Sequence, residues 1–198
     1  MSAPNFIVRI PITPTDKYQM REFSSIINLN NQDLICASRD GRIFQFDKET
    51  YELKRTLLLH SSWISTMYID DNYFATGSYD SNILLTKSKD IYNYSINPQF
   101  LKFGEHRDYI LSITIVHDTL ISSSSDPVIL LSTITKDAII SYRRINLNIS
   151  VHSLLSINEY EILFGTIEGK LLTLNVSASS DPKQIHYYDS PIKCLSKN

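Results

Sequence analysis

The sequence predicts an all-β protein built from repeated units, and two observations carry this prediction. Short segments alternate apolar and polar residues, or run apolar, between turn-forming residues; examples are SIINLN, ISTMYI, LSITIV and LLTLNV. No window keeps apolar residues at helical spacing through several turns, and β-branched and aromatic residues occupy most apolar positions. Many strands and almost no helix are therefore expected.

A repeat becomes visible when the segments are aligned on an acidic turn residue. The acid recurs at intervals of 40, 46 and 42 residues, and a hydroxyl residue stands two positions before each acid. The acids are Asp40, Asp80, Asp126 and Glu168, and the hydroxyl residues are Ser38, Ser78, Ser124 and Thr166. Twenty positions before the acid, only the two middle units have a histidine, His60 and His106. The register defines four units of similar length.

Each unit contains four candidate strands, which in the second unit are WISTMYI, YFATGS, NILLTK and QFLKFG. A period of 40 to 46 residues with four short strands is typical of one blade of a β-propeller. The sequence thus predicts a single propeller domain over residues 1–198, with four-stranded antiparallel blades at about 20–60, 61–106, 107–147 and 148–189. Two extra terminal strands are predicted at 5–13 and 190–197.

The repeat resembles the WD-repeat family over about residues 20–189. FGEH is similar to the Gly-His that precedes the first strand of such a repeat, and SYDS and SRDG are similar to the turn that carries its Asp. The positions of the family's Trp are held by Phe46, Thr86, Ser132 and Leu174, so no unit keeps that Trp. The resemblance implies a degenerate propeller of about four repeats that acts in protein–protein interaction.

The recurring His, Ser and Asp are interpreted as a structural turn network. An Asp in a tight turn can accept hydrogen bonds from the turn amides and from the His of the preceding loop, and the Ser is expected to meet the other ring nitrogen. A hydrolytic triad is not favoured, because the Ser lies on a strand rather than at a G-x-S-x-G elbow and the trio is repeated. The predicted network comprises His60, Ser78, Asp80, His106, Ser124 and Asp126, with Ser38 and Asp40 in the first unit.

Candidate partner-binding residues lie on the loops of the same rim. Consecutive units place an aromatic residue there beside arginine, a composition enriched at protein interfaces. The candidates are Arg39, Trp63, Tyr79, Arg107, Asp108 and Tyr109. An interpretation of equal weight is that Trp63 and Tyr109 pack at the start of their strands.

The formal net charge of −2 provides no overall basic field, so neither nucleic acid nor an anionic membrane is favoured as a partner. Basic residues that lie on outer strands are interpreted as a charged edge that resists aggregation; they are Lys54, Arg55, Arg143 and Arg144. No stretch predicts a membrane span or a secretory signal.

Metal and cofactor sites are not expected. The two cysteines, Cys36 and Cys194, lie far apart, and His117, His152 and His186 have no ligand-type residue at the required spacing. The five glycines form no phosphate-binding loop. No small-molecule substrate is therefore predicted, and free cysteines indicate a reducing compartment, the cytoplasm or the nucleus.

Four blades and two odd strands leave three arrangements open. The chain is a partial propeller completed by another chain or docked on a partner, a truncated relative without independent function, or a small ring of about five blades closed by its terminal strands. An open arc exposes strand edges and apolar faces that proteins normally cover.

The function predicted from these features is a non-catalytic protein–protein interaction scaffold or an adaptor subunit of a complex. Two other classes remain as alternatives, a scaffold associated with nucleic acid and an enzyme that uses the central pore. The innermost strands IINLN, ISTMYI and ILSITIV carry apolar or small residues, which disfavours the enzyme.

Overall fold

A computed structural model describes residues 22–29, 33–95 and 98–196, which form four four-stranded antiparallel sheets, here named blades 1 to 4. Blade 1 contains β1 (Phe23–Leu29), β2 (Asp33–Ser38), β3 (Arg42–Asp47) and β4 (Leu53–Leu58). Blade 2 contains β5 (Ile64–Ile69), β6 (Tyr73–Ser78), β7 (Ile83–Lys87), the helix α1 (Ser88–Tyr92) and β8 (Leu101–Phe103). Blade 3 contains β9 (Ile110–Val116), β10 (Thr119–Ser124), β11 (Val128–Ile134) and β12 (Ile139–Asn146). Blade 4 contains β13 (Val151–Ser156), β14 (Glu161–Thr166), β15 (Lys170–Asn175) and β16 (Lys183–Tyr187).

The blades form an open arc. Within each blade the strands lie side by side in chain order. The first strands of neighbouring blades pack together, β1 on β5, β5 on β9 and β9 on β13, so these strands line the inside of the arc. In the part of the chain that the structure describes, blade 4 makes no comparable packing against blade 1. The prediction of an all-β propeller with four-stranded antiparallel blades is confirmed, and the described sheets do not close into a ring, which agrees with an incomplete propeller.

The first strand of every blade carries a bulge at its second residue. The pairing register shifts just after Phe23, Ile64, Ile110 and Val151. A bulge bends a strand and increases its twist, which suits an inner strand that must pass close to its neighbours. The bulged Ser65 also donates its hydroxyl hydrogen to the carbonyl oxygen of Ile110 in the next blade. The same local feature thus shapes the strand and joins adjacent blades.

Apolar side chains fill the spaces between blades. Ile35, Ala37 and Ile43 of blade 1 cluster with Ile64 and Phe74 of blade 2. Similar clusters lie between blades 2 and 3 and between blades 3 and 4. The alternating residues of blade 1 form a separate buried cluster on its other face, made of Cys36, Phe44 and Phe46. Strands that are buried on both faces carry apolar residues at successive positions, which explains why the sequence shows apolar runs as well as alternating segments.

An insertion in blade 2 accounts for the longest of the three repeat intervals. Helix α1 and the residues after it lie between β7 and β8, and both Ser88 and Ile91 are fully buried. The guanidinium of Arg55 on β4 donates to the carbonyl oxygens of Ile91 and Ser95, each at 3.0 Å. The insertion is thereby fixed against blade 1. It is the one helix among the described residues, in keeping with the expectation of almost none.

The two predicted terminal strands have different outcomes. Residues 5–13 lie outside the described residues. Within the predicted strand at 190–197, residues up to 196 are described and form no strand ladder, because no neighbouring strand pairs with them.

Candidate functional site

His60 and Asp80 form a hydrogen-bonded pair at the rim where the loop before β5 meets the β6–β7 turn. The Nδ1–H of His60 donates to Oδ2 of Asp80 at 3.0 Å, and its Nε2 accepts from the Thr76 hydroxyl at 2.9 Å. The carboxylate also accepts the backbone N–H groups of Ser61 and Asn82, both at 3.0 Å. The His60 side chain is only 1% exposed. One carboxylate therefore holds a loop, a strand and a turn together.

His106 and Asp126 repeat this arrangement in blade 3. The Nδ1–H of His106 donates to Oδ1 of Asp126 at 3.1 Å, and its Nε2 accepts from the Ser122 hydroxyl at 2.9 Å. The backbone N–H of Arg107 donates to the same carboxylate at 3.1 Å. The loops and turns that carry these two networks are here named the His–Asp rim.

The structure differs from the sequence prediction in one contact of each network. The hydroxyl that meets the histidine belongs to Thr76 or Ser122, four residues before the Asp, rather than to Ser78 or Ser124. The Ser78 and Ser124 hydroxyls instead accept the backbone N–H of Asp80 at 3.1 Å and of Asp126 at 3.0 Å. Residues two apart share one face of a strand, so the sequence alone does not show which hydroxyl the ring reaches.

The first and fourth units hold the equivalent turn by local ion pairs. The guanidinium of Arg42 contacts the Asp40 carboxylate. The ammonium of Lys170 lies 2.9 Å from the Glu168 carboxylate, and both side chains are largely exposed. The Arg42–Asp40 pair is partly buried and the Lys170–Glu168 pair is more exposed; ion pairs in contact with solvent contribute little to stability, whereas a buried His that loses its acceptor is costly. The two middle blades therefore depend most on the His–Asp rim.

Burial controls the charge state of both networks. It lowers the pKa of His60 and His106 below the ordinary value, although Asp80 and Asp126 oppose this. For Asp80 and Asp126, burial alone would raise the pKa, but the surrounding donors outweigh it and hold the pKa below its usual range. The histidines are thus neutral at pH 7 and the aspartates ionised.

Acidification is expected to destabilise the protein. The folded pKa of each His and Asp in these networks lies below its unfolded value, as does that of the partly buried His152, so the unfolded chain binds more protons in acid. The stabilising contribution is complete above about pH 6.5 and declines as pH falls, first through the histidines and below about pH 4 through the aspartates.

Urea unfolding at a series of pH values from neutral to acid measures this effect. The variant that combines His60→Asn with His106→Asn serves as the control. It lacks the two buried histidines, so its free energy of unfolding should change less at the pH values closest to neutral. A wild-type free energy of unfolding that stays constant or rises on acidification contradicts the assignment of neutral buried histidines.

Three aromatic rings on the His–Asp rim form a continuous stack, here named the aromatic row. The ring centroids of Trp63 and Tyr79 lie 4.6 Å apart, and those of Tyr79 and Tyr109 lie 4.5 Å apart with planes only 12° from parallel. The guanidinium carbon of Arg39 lies 4.2 Å from the Trp63 centroid, so a cation covers the blade 1 end of the row. The row joins blades 2 and 3, and Arg39 extends the stack to blade 1.

Backbone hydrogen bonds hold the aromatic row in place. The Tyr79 N–H donates to the Trp63 carbonyl oxygen at 2.8 Å, and the Ser125 N–H donates to the Tyr109 carbonyl oxygen at 2.9 Å. Trp63 and Tyr79 are half-buried, whereas Tyr109 is 45% exposed. Trp63 therefore packs within the rim against Tyr79, and Tyr79 in turn supports the exposed ring of Tyr109.

The other two candidates flank Tyr109 without joining the row. Arg107 is exposed, and its backbone N–H belongs to the His–Asp network. Asp108 is half-buried, and its Oδ1 accepts the Tyr109 N–H at 2.8 Å. The structure therefore brings Arg39, Trp63, Tyr79 and Tyr109 into one stack and places the charges of Arg107 and Asp108 beside its exposed end.

Most of the basic residues on outer strands are engaged inside the chain. Lys54 lies 2.6 Å from a carboxylate oxygen of Asp33 and 2.9 Å from one of Asp47. Arg55 donates to the insertion as described, and Arg143 donates to the backbone carbonyl oxygens of Ala178 and Ser180. These cations therefore connect strands and loops within the chain.

The described surface offers few features for chemistry. Two open pockets lie at the opposite rim, around residues 115–117 and 156–161, away from the histidine pairs. Among the described residues, no group of three His, Cys, Asp or Glu side chains is placed to hold a metal ion. No helix in the described ranges is both long and apolar enough to cross a bilayer.

Comparisons with known proteins concern the fold alone. No protein-family model matches the sequence, and no curated protein matches it significantly. A computationally designed protein, Ika4, is similar in structure at 15% identity and a TM-score of 0.65, over 81% of this chain and 94% of that one. The WD40 repeats of RRP9 are similar at 15% identity and a TM-score of 0.72, over 86% of this chain but 52% of that one. The chain thus has a WD40-like propeller fold and spans about half the length of the RRP9 repeats.

Proposed function

We propose that the protein is a non-catalytic scaffold that binds other proteins through the aromatic row on its His–Asp rim. The observation that supports this most strongly is the stack itself, which runs from Arg39 to the exposed ring of Tyr109 across three blades. Aromatic residues and arginine supply most hot spots of protein interfaces, because they offer large rigid contact areas.

The row is organised before any partner binds. Stacking and the backbone hydrogen bonds under Trp63 and Tyr109 fix the rings, so little side-chain freedom is lost on association. Ser125 follows Tyr109 around the rim, and its small side chain leaves the row without a further aromatic ring there. A planar side chain of a partner, aromatic or arginine, can extend the stack at this end as Arg39 does at the other.

The proposed scaffold role also bears on the predicted partners, the alternative functions and the cellular location. Protein partners agree with the WD40-like fold and with the internal use of most outer-strand cations. The pore enzyme and the nucleic-acid scaffold have no comparable supporting feature among the described residues. The cytoplasmic or nuclear location stays a prediction from the free cysteines.

Tyr109→Ala is expected to weaken partner binding strongly while leaving the fold intact. Truncating a hot-spot ring costs about 2 kcal/mol, roughly thirtyfold in affinity. Proteins retained by the tagged chain from the cells that make it can be quantified by mass spectrometry for wild type and variant. Tyr142→Ala is the matched control, because Tyr142 is 53% exposed on β12 of the same blade.

The expected result is a defined set of proteins that wild type and Tyr142→Ala retain and Tyr109→Ala loses, with equal melting temperatures. Trp63 is the single tryptophan of the chain, so its fluorescence then reports binding of each recovered protein. If Tyr109→Ala retains the same set as wild type, the aromatic row is not the binding surface.

A further inference from the structure

Two positions of every blade alternate around the His–Asp rim. The loop position lies just before the inner strand, and the turn position lies just before the acid of the turn between the second and third strands. In blades 1 to 4 the backbone N–H of the turn position donates to the carbonyl oxygen of the loop position, at 3.3, 2.8, 2.9 and 3.3 Å. The loop positions are Glu22, Trp63, Tyr109 and Ser150, and the turn positions are Arg39, Tyr79, Ser125 and Ile167.

Large side chains at the first five positions form one continuous series. Glu22 forms an ion pair with Arg39, whose guanidinium carbon lies 4.2 Å from the Trp63 centroid. The rings of Tyr79 and Tyr109 follow, at centroid distances of 4.6 and 4.5 Å from the preceding ring. Each side chain from Arg39 to Tyr79 is therefore packed between two neighbours along the rim.

The series is interrupted after Tyr109, because serines hold the next two positions. Ser125 and Ser150 are half-buried, and the Ser150 hydroxyl donates to the Ser125 carbonyl oxygen at 2.9 Å. Large side chains stand on both sides of the serines, since Tyr109 is 45% exposed and Ile167 is 47% exposed. The two serine positions between Tyr109 and Ile167 are here named the serine notch.

The serine notch lies where two complete blades meet. The inner strands β9 and β13 pack together, and one buried apolar cluster joins blades 3 and 4 beneath the rim. The four residues that form and flank the notch all belong to these two blades. The shape of the notch thus follows from the contact between blades 3 and 4.

We propose that the serine notch binds an aromatic side chain of a protein partner, stacked on Tyr109 at the position of Ser125. This inference rests on the proposed function and names the chemistry of the partner. Tyr79 is the example within the chain, because it holds the same turn position one blade earlier and lies between Trp63 and Tyr109. A partner ring in the notch packs against the opposite face of Tyr109, with Ile167 as an apolar neighbour.

The neighbours of the notch fit an aromatic ring better than an arginine. Arg39 has a ring on one side and the Glu22 carboxylate on the other. The positions on either side of Ser125 carry the ring of Tyr109 and the hydroxyl of Ser150. A guanidinium in the notch therefore loses water without gaining a carboxylate there, which is unfavourable.

The charges closest to the notch are engaged or offset. The Asp126 carboxylate accepts the ring N–H of His106 and the backbone N–H of Arg107, both at 3.1 Å. Asp108 accepts the Tyr109 N–H at 2.8 Å, and the exposed guanidinium of Arg107 next to it in the chain carries the opposite charge. A neutral ring is thus the side chain that this surroundings favours.

Disulfide capture tests the notch without a known partner. Ser125→Cys places a thiol in the notch, and Cys194→Ser removes the exposed native thiol. Cys36 is buried, and burial raises its pKa to about 11, so it does not react at neutral pH. The full chain with both changes is equilibrated with 2-mercaptoethanol and small disulfides of equal length that end in a phenyl, a cyclohexyl or a guanidinium group. Mass spectrometry measures the fraction of the chain that carries each group.

The phenyl group is expected to be captured about fivefold more than the cyclohexyl or guanidinium group, because ring stacking adds to the burial of apolar area. Adding Tyr109→Ala to the same chain should remove the preference at an unchanged melting temperature. Asp137→Cys with Cys194→Ser is the matched control, since position 137 is exposed in the β11–β12 turn at the opposite rim and should show no preference.

Ser125→Tyr connects the notch to the partner. Its own ring takes the place of the partner ring, so the variant should lose the proteins that wild type retains, as Tyr109→Ala does, without a fall in melting temperature. A Ser125→Tyr chain that retains the whole set shows that the partner does not enter the notch.

Three results of the capture experiment overturn the proposal. The phenyl and cyclohexyl groups are captured equally; the guanidinium group is captured most, which assigns the notch to arginine; or the new thiol at position 125 captures none of the three, which assigns the notch to another part of the same chain.

The capture experiment uses no partner protein, so this proposal and the proposed function fail separately. If the phenyl preference is absent while Tyr109→Ala still loses the retained proteins, the notch proposal is wrong and the scaffold proposal stands. If the preference is present while Tyr109→Ala retains every protein, the scaffold proposal is wrong and the notch binds aromatic rings that no partner supplies.

Discussion

Alanine in place of Asp80 or Asp126 is expected to lower the free energy of unfolding by about 2 to 3 kcal/mol, because each change leaves a buried histidine N–H and backbone amides without an acceptor. Asp80→Ala should have the larger effect, since Asp80 accepts the N–H groups of Ser61 and Asn82 as well as that of His60. For a chain of this size the loss corresponds to a fall of roughly 4 to 12 °C in melting temperature.

Thermal and urea unfolding of the two variants measure this effect, with Asp108→Ala as the control. Asp108 lies on the same rim, is half-buried and accepts one backbone N–H, that of Tyr109. Its replacement removes a carboxylate of the same kind without exposing a buried imidazole. Unchanged melting of both Asp80→Ala and Asp126→Ala would show that the His–Asp rim does not stabilise the propeller.

Gly41→Ala is expected to cost about 3 kcal/mol or more, because two independent penalties coincide. Gly41 has φ of +83°, a backbone conformation that a residue with a Cβ rarely adopts, and its Cβ would lie 2.0 Å from the His60 carbonyl oxygen. The loop that carries His60 into the His–Asp pair would have to move. The substitution should thus disrupt the contact between blades 1 and 2 as well as the turn.

Gly104→Ala is the matched control for Gly41→Ala. A Cβ at Gly104 would meet only the flexible end of the Asn82 side chain, at 2.7 Å, and its φ is not positive. Chemical unfolding should therefore separate the two variants clearly. Equal stability of Gly41→Ala and Gly104→Ala would mean that the β2–β3 turn is free to rearrange.

The strand segments were predictable because their signals are local. ISTMYI and YFATGS show the apolar, β-branched and aromatic residues that suit a pleated surface, and their turns carry Gly, Asp, Asn or Ser. The spacing of Asp80 and Asp126 set the repeat, which in turn set the four-stranded blades. Helix α1 was not predicted at its residues, since a five-residue helix is too short to show a helical period.

The site was only partly predictable, because its contacts join residues far apart in the chain. The His60–Asp80 pair followed from the repeat, but the hydroxyl partner did not, since Thr76 and Ser78 share one strand face. The aromatic candidates Trp63 and Tyr109 were visible in the sequence as loop residues. That Tyr79 joins them into one stack depends on the angle between blades 2 and 3, which no local pattern encodes.

The sequence by itself determined the repeat, the strand order within each blade and the residues of the His–Asp pairs, because these depend on local periodicity and turn chemistry. Only the tertiary structure decided that the arc stays open, that three rings stack across blades and that Ile192 packs on Gly165 as Ile110 packs on Gly77. These features arise where separate blades meet. Contacts between blades join residues that are 40 or more positions apart in the chain, as Ser65 and Ile110 are. Periodicity along the sequence does not reveal these contacts.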